Sequence, residues 1–266
     1  MENSLSLFVG TRKCNAHCGH CAGKVHRRHA PTKDGIVDEE LVIKTLRDCY
    51  VSGARRLTIS SSGEPTLSPI SVTKVFQIID NMRRKEGVVY SPISLYSNGI
   101  RIGEDQCFSE EYLPLWKALG LTKVYITIHD INEHENAKIY RIAEYPKLVT
   151  IIERIHDADL LMRANLVLSR NTTCELGKFI SIVKHLEDIG ADSISAWPIR
   201  GIDDEVDKER APIASEMNKM SEWALQYSRP GFELRVLGEE NRIAYQSGQK
   251  LTLFPDGSLS GTWCNN

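Results

Sequence analysis

The sequence predicts an α/β protein built as a partial (β/α)6 barrel with a short C-terminal β extension. Two observations carry that prediction. Apolar, β-rich runs recur six times, and the segments between them space their apolar residues as a helix does. The alternation then stops near residue 230, where short strand-like pieces and a Pro-Asp-Gly turn take over. Strand and helix in alternation imply parallel strands joined by right-handed crossovers. Eight such units close a barrel; about six leave it open.

The strands are expected at 5–9 (LSLFV), 56–60 (RLTIS), 93–97 (ISLYS), 123–128 (KVYITI), 162–168 (MRANLVL) and 193–197 (SISAW). A first helix over 38–52 sets Leu41, Leu46 and Cys49 near one face, with Asp38 as its cap. A second over 70–84 aligns Val72, Val75, Phe76 and Ile79. Further helices are expected near 109–119, 135–157, 173–189 and 214–227. Beyond residue 230, FELRV, KLTLF and SLSGTW around the turn at 255–257 read as short strands and a hairpin. The expected division is a barrel over 1–230 and an extension over 231–266 packed on it.

Composition narrows the function classes. With 41% hydrophobic and 26% charged residues the chain is an ordinary globular one, and a net charge of −2 argues against a nucleic-acid-coating or polybasic membrane-binding protein. The N-terminal apolar run is short, is broken by Gly10 and is followed by Arg12 and Lys13, which is not a signal-peptide core. No window approaches the ~18 apolar residues of a membrane span. A cytoplasmic location is the resulting expectation. There, seven cysteines are not a disulfide framework, and their odd number agrees.

Three of the seven crowd into Cys14-Asn15-Ala16-His17-Cys18-Gly19-His20-Cys21, directly after the first strand. Thiolates are the usual protein ligands of iron–sulfur clusters. A cubane has four irons, so three cysteines leave one iron open for a ligand that is not protein, as reactive metal sites do. The loop also falls at the C-terminal end of a barrel strand, where barrel active sites are built. A structural zinc site completed by His17 or His20 is the competing reading. Zinc knuckles normally come in pairs, and no second one is present.

The C-x3-C-x2-C spacing after strand one, with His20 in the aromatic-like position before the last cysteine, resembles the radical S-adenosylmethionine (SAM) superfamily. Three further stretches are similar to that family's motifs. Ser62-Gly63-Glu64-Pro65 after strand two looks like its Gly-Gly-Glu-Pro motif, with Ser62 replacing the first glycine. Ser97-Asn98-Gly99 ends strand three as its Thr-Asn-Gly does, and Arg163 and Asn165 share one face of strand five. The resemblance covers roughly residues 5–200. It implies a [4Fe–4S] cluster on Cys14, Cys18 and Cys21, and SAM held by His20, Ser62, Gly63, Glu64, Pro65, Ser97, Asn98, Arg163 and Asn165. Within that set Asn165 suits the ribose, and Arg163 suits the SAM carboxylate or, equally, a salt bridge at the barrel rim. The implied chemistry is reductive cleavage of SAM to a 5′-deoxyadenosyl radical that takes hydrogen from substrate, with a flavodoxin or ferredoxin as reductant.

Substrate residues are less defined. His129 ends strand four where many relatives carry an aspartate, so it is a candidate for substrate contact or proton transfer and equally a structural histidine. Trp197 and Arg200 follow strand six at the same mouth. The basic run Lys24–His29 is a candidate for an anionic group, or else a solvated face. Cys264 follows an Asp-Gly turn resembling the entry to an auxiliary-cluster domain. The chain has too few further cysteines for a second complete cluster, so Cys264 is a lone ligand, a hydrogen-atom donor or a structural residue. The expected substrate is a small molecule, a nucleotide or a peptide, with no membrane involvement. The absence of a broadly basic surface argues against nucleic acid. A tRNA-modifying enzyme and a glycyl-radical activase are the alternatives within the family, and a non-catalytic zinc or iron–sulfur module is the alternative outside it.

Overall fold

A computed structural model of the chain describes residues 3–201, 205–238 and 249–261. The first six strands run β1 (Asn3–Phe8), β2 (Ala54–Ser60), β3 (Ile93–Ser97), β4 (Lys123–Ile128), β5 (Leu161–Leu168) and β6 (Ser193–Pro198). They are followed by β7 (Glu233–Val236), β8 (Lys250–Leu253) and β9 (Leu259–Ser260). The sheet order is β7-β6-β5-β4-β3-β2-β1-β8-β9, parallel throughout except for the antiparallel β8–β9 pair. It does not close, as expected of a partial barrel.

The strands after residue 230 continue the sheet at both edges. Glu233–Val236 pairs with β6, and Lys250–Leu253 pairs with β1, placing Lys250 beside Ser4. The turn at 255–257 joins β8 to β9, where the Asp256 carboxylate accepts from the Ser258 N–H at 2.9 Å.

The helices are α1 (Glu39–Val51), α2 (Pro69–Glu86), α3 (Ile100–Glu104), α4 (Gln106–Ala118), α5 (Glu133–Tyr140), α6 (Leu148–Asp157), α7 (Leu176–Asp188) and α8 (Ala214–Tyr227). Asp38 caps α1 by accepting from Leu41 N–H at 3.0 Å. Alternate strand residues, such as Leu5, Leu7, Leu57, Ile59, Ala164 and Leu166, are buried and pack with the helices. α2, α6 and α7 meet them with Val72, Val75 and Phe76, Ile151, Ile152 and Ile155, and Phe179, Ile182 and Val183. The opposite strand face, with Ser4, Ser6, Thr58, Ser94, Tyr96, Arg163 and Asn165, is polar and looks into the half-barrel. Among the described residues no helix is long and apolar enough to cross a membrane.

One expected helix is two. The stretch 135–157 breaks between α5 and α6, where Arg141 takes a left-handed φ of 54° and Pro146 disfavours helix at the residue before it. The break brings Tyr140 and Tyr145 into a stack with ring centroids 5.3 Å apart. Their hydroxyls donate to Thr127 O (2.7 Å) and Asn98 O (2.9 Å), so both rings are tied to strand ends at the mouth of the half-barrel.

Candidate active site

A cavity of about 220 Å³ opens at the C-terminal ends of β1–β4. Its wall holds Cys14, Cys18, His20 and Cys21 from the first loop, Gly63, Glu64 and Pro65 from the second, Ser97 and Asn98 from the third, and His129 and Tyr140 from the fourth. Loops that follow neighbouring parallel strands emerge on the same edge of a sheet, which is why residues far apart in sequence meet here.

The cysteine loop has no regular structure and is pinned from three sides. Lys13 O accepts from Glu64 N–H at 2.8 Å, Tyr140 O accepts from His17 N–H at 2.8 Å, and the Thr11 N–H donates to Ser68 Oγ at 2.9 Å. Two members of the basic run take part. Lys24 Nζ donates to Cys18 O at 2.6 Å, and Arg27 donates through Nε to Ser62 O at 3.0 Å and through a terminal nitrogen toward Cys21 Sγ at 4.0 Å. Asn98 Nδ2 approaches Cys14 Sγ at 3.9 Å while donating to Asn15 Oδ1 at 2.7 Å. Two of the three sulfurs therefore face N–H donors, a lever on cluster potential.

Burial pushes the Cys14 thiol up to about 11, helped by the nearby Glu64 carboxylate. It pushes Cys18 up to about 12, helped by Cys21 and Cys14. Thiols so raised stay protonated until a metal displaces the protons. The three line one cavity. Cys49 is buried, Cys107 exposed and Cys174 half-buried, and none lines the cavity.

Glu64 is 3% exposed and takes four donors: Thr66 N–H (3.2 Å), Thr66 Oγ1 (2.8 Å) and Ser97 Oγ (2.8 Å) on Oε1, and Asn98 N–H (2.8 Å) on Oε2. Burial pushes its carboxyl up against the pull of those donors. The side chain thus knits the β2 and β3 ends together. Gly63 lies flat on the cysteine loop: a Cβ there would sit 2.0 Å from Lys13 O. Ser62 is buried, and its Oγ has no partner.

His129 is 2% exposed, and its Nε2 has no hydrogen-bond partner. Its ring makes edge contacts with His20 and Tyr140, both at 5.1 Å between centroids. Burial holds His129 down to about 3, and burial with the Arg210 and Lys24 charges holds His20 down to about 4. Both are neutral imidazoles at physiological pH. The unfolded chain, with His129 near its ordinary value of about 6.5, takes up a proton as pH falls that the folded chain refuses. The stability is therefore fully present above about pH 6.5 and declines toward the folded value, by about 2 kcal/mol at pH 5. Urea unfolding of the cluster-free protein should show an acid loss that is smaller in His129→Gln than in the wild type by about 2 kcal/mol at pH 5, the remainder coming from His20; an equal loss in both refutes the assignment.

Arg163 and Asn165 do not line the cavity. They sit on the inner face of β5, where Arg163 Nε donates to Asn165 Oδ1 at 3.1 Å and the guanidinium stacks 3.3 Å over the Tyr125 ring. The Tyr96 hydroxyl meets both residues, and its ring lines the cavity. Arg200 donates to Gly238 O at 3.0 Å. Cys264 lies outside the described residues. The sequence does not single out Tyr140, and it offers Arg27 and Tyr96 only as members of longer runs. The Tyr-Pro pair at 145–146 inside a helical stretch is the one available sign that the chain turns back near Tyr140.

Residues 8–179 match the family model described as "Radical SAM superfamily". A GTP 3′,8-cyclase of Clostridium perfringens is 23% identical over 158 residues, 59% of this chain and 44% of that one. A "probable GTP 3′,8-cyclase" of Aeropyrum pernix is 26% identical over 190 residues, 68% of this chain and 47% of that one. The chain thus matches less than half the length of these curated relatives. Among solved structures, Streptococcus suis SuiB bound to S-adenosylmethionine superposes with TM-score 0.65 at 13% identity, over 99% of this chain and 58% of that one. HydG, a maturase of the [FeFe]-hydrogenase, superposes with TM-score 0.63 at 12% identity, over 98% and 58%. At such identities the likeness concerns the fold.

Proposed function

The chain belongs to the radical SAM superfamily of enzymes, whose cofactors are a [4Fe–4S] cluster and S-adenosylmethionine, and from that premise we propose that Cys14, Cys18 and Cys21 hold the cluster and that this chain attacks a C–H bond of a small molecule or nucleotide. The observation that supports the reading best is the meeting of three thiols with the Gly63–Pro65 turn, Asn98 and His129 around one cavity. When bound, cluster and SAM together supply a 5′-deoxyadenosyl radical that takes hydrogen from substrate.

The residues of this chain do the holding. Arg27 and Asn98 offer N–H groups to sulfur, and Lys24 fixes the loop between the second and third cysteines. The Gly63–Pro65 turn on the cavity wall, with the Glu64 carboxylate, is assigned to the ammonium group at the amino end of SAM. Asn165 and Arg163, assigned to its ribose and carboxylate by the family resemblance, sit on the inner face of β5 outside the cavity wall. His129, neutral and with an unpartnered Nε2, gives or takes one hydrogen bond at the cavity wall and carries no standing charge. Tyr140 closes the wall beside it. A flavodoxin or ferredoxin is the reductant assigned to this reading, and the likeness to GTP 3′,8-cyclases favours a nucleotide over a peptide as substrate.

Anaerobic reconstitution tests the assignment. The protein should turn brown and, with dithionite and SAM but no substrate, form 5′-deoxyadenosine. A colourless protein carrying one zinc overturns the reading.

A further inference from the structure

We propose that the floor of the half-barrel, beneath the cysteine cavity, binds a phosphate-bearing group of the substrate through Arg56, Arg235 and Lys250. The proposal deepens the function above and rests on it for the identity of the reaction.

Strand register supplies the geometry. Ser4 on β1 is flanked by Arg56 on β2 and Lys250 on β8. Across the half-barrel, Arg163 lies in a row with Tyr125 and Ser193, and Arg235 sits beside Ser195. Residues paired across parallel strands share a face. The intervening Leu5, Leu57, Ala164, Ile194 and Leu234 are all buried, so the cationic residues occupy the inner face. Among the described strand residues Glu233 is the one carboxylate on that face, and it pairs with Arg235. Arg56 forms no ion pair with a described residue, and Arg163 is held by an amide and a ring.

The charges feel one another. Burial, together with the positive fields of Arg163, Arg56, Arg200 and Arg235, holds Lys250 down to about 8. A site that strains its own cations in this way gains when an anion enters. Shape selects the anion. A lone carboxylate is planar and is satisfied by one bidentate arginine, whereas donors arriving from β2, β7 and β8 surround their ligand, as suits tetrahedral phosphate.

Position links this floor to the cavity. Tyr96, which lines the cavity, makes an edge contact with Tyr125 at 5.2 Å, and Arg163 stacks on the other side of that row. Arg56 lies four residues upstream of Ser60, another cavity residue, a drop of about 13 Å along a strand. A ligand anchored on the floor by phosphate would extend its other end to the thiol-lined mouth.

Calorimetric titration of the reconstituted full chain with sodium pyrophosphate, at low salt, tests the site, with tricarballylate as the carboxylate probe. Pyrophosphate should bind the wild type more tightly than tricarballylate does. It should bind the Arg56→Gln/Lys250→Gln double variant about tenfold or more weakly, and Arg56→Lys within about threefold of wild type. Equal pyrophosphate affinity in wild type and double variant, or a wild-type preference for tricarballylate, overturns the proposal. The measurement needs no turnover: if wild type binds pyrophosphate as described but forms no 5′-deoxyadenosine from SAM, the proposed function fails and the anion site stands.

Discussion

Cys14→Ser, Cys18→Ser and Cys21→Ser are each expected to lose the brown chromophore and to form 5′-deoxyadenosine at less than about one-hundredth of the wild-type rate. Removing a partner that merely orients a metal ligand costs roughly 10–100-fold, so removing a ligand itself costs more. Among the described residues the three thiols have no substitutes at hand, since Cys49, Cys107 and Cys174 lie away from the cavity. Cys107→Ser, on an exposed helix position, should keep wild-type iron and activity. Iron and sulfide assays on anaerobically prepared variants decide it. Wild-type iron in any of the three cavity variants would remove the basis of the assignment.

Gly63→Ala should be nearly as damaging without touching a thiol. The added Cβ would lie 2.0 Å from Lys13 O, 2.7 Å from Lys13 C and 2.9 Å from Arg12 C. All three are backbone atoms and cannot swing aside as a side-chain tip can. Lys13 is held in place by the hydrogen bond from Glu64 N–H, so the methyl must force the turn and the cysteine loop apart. Overpacking of this kind costs about 1–3 kcal/mol or more. The strain falls on the residue before Cys14, so iron retention should fall along with the urea midpoint. Gly177→Ala is the matched control: nothing lies within 4 Å of its Cβ, and its place in α7 predicts a gain of about 0.5–1 kcal/mol. Wild-type iron and an unchanged midpoint in the Gly63→Ala variant would show that the loop is not held as described.

Parts of this molecule were legible in one dimension because they depend on local spacing. Leu5 and Leu7 alternate with Ser4 and Ser6, which marks a strand with one polar face; Val72, Val75, Phe76 and Ile79 repeat at helical spacing. The crowding of Cys14, Cys18 and Cys21 after the first such strand is also local, and with Gly63-Glu64-Pro65 after the second it pointed to the family. The break after Tyr140 was harder to read, because apolar periodicity continues through it and only Pro146 interrupts. Arg27 looked like one more surface charge in a basic run, yet it bridges Ser62 O and Cys21.

The order of strands and helices, the cluster-type cysteine motif and the family are all readable without coordinates. Each is written in neighbouring residues, where propensity and spacing act. Folding in three dimensions is what commits the Glu64 carboxylate to Ser97, Thr66 and Asn98, makes His129 a buried neutral imidazole, and sets Arg56, Arg235 and Lys250 on one inner face. Those facts depend on the pairing of β8 with β1 and of β7 with β6, which joins residues as distant as Ser4 and Lys250. Burial and electrostatic fields act through space, so they come into being only when the sheet assembles.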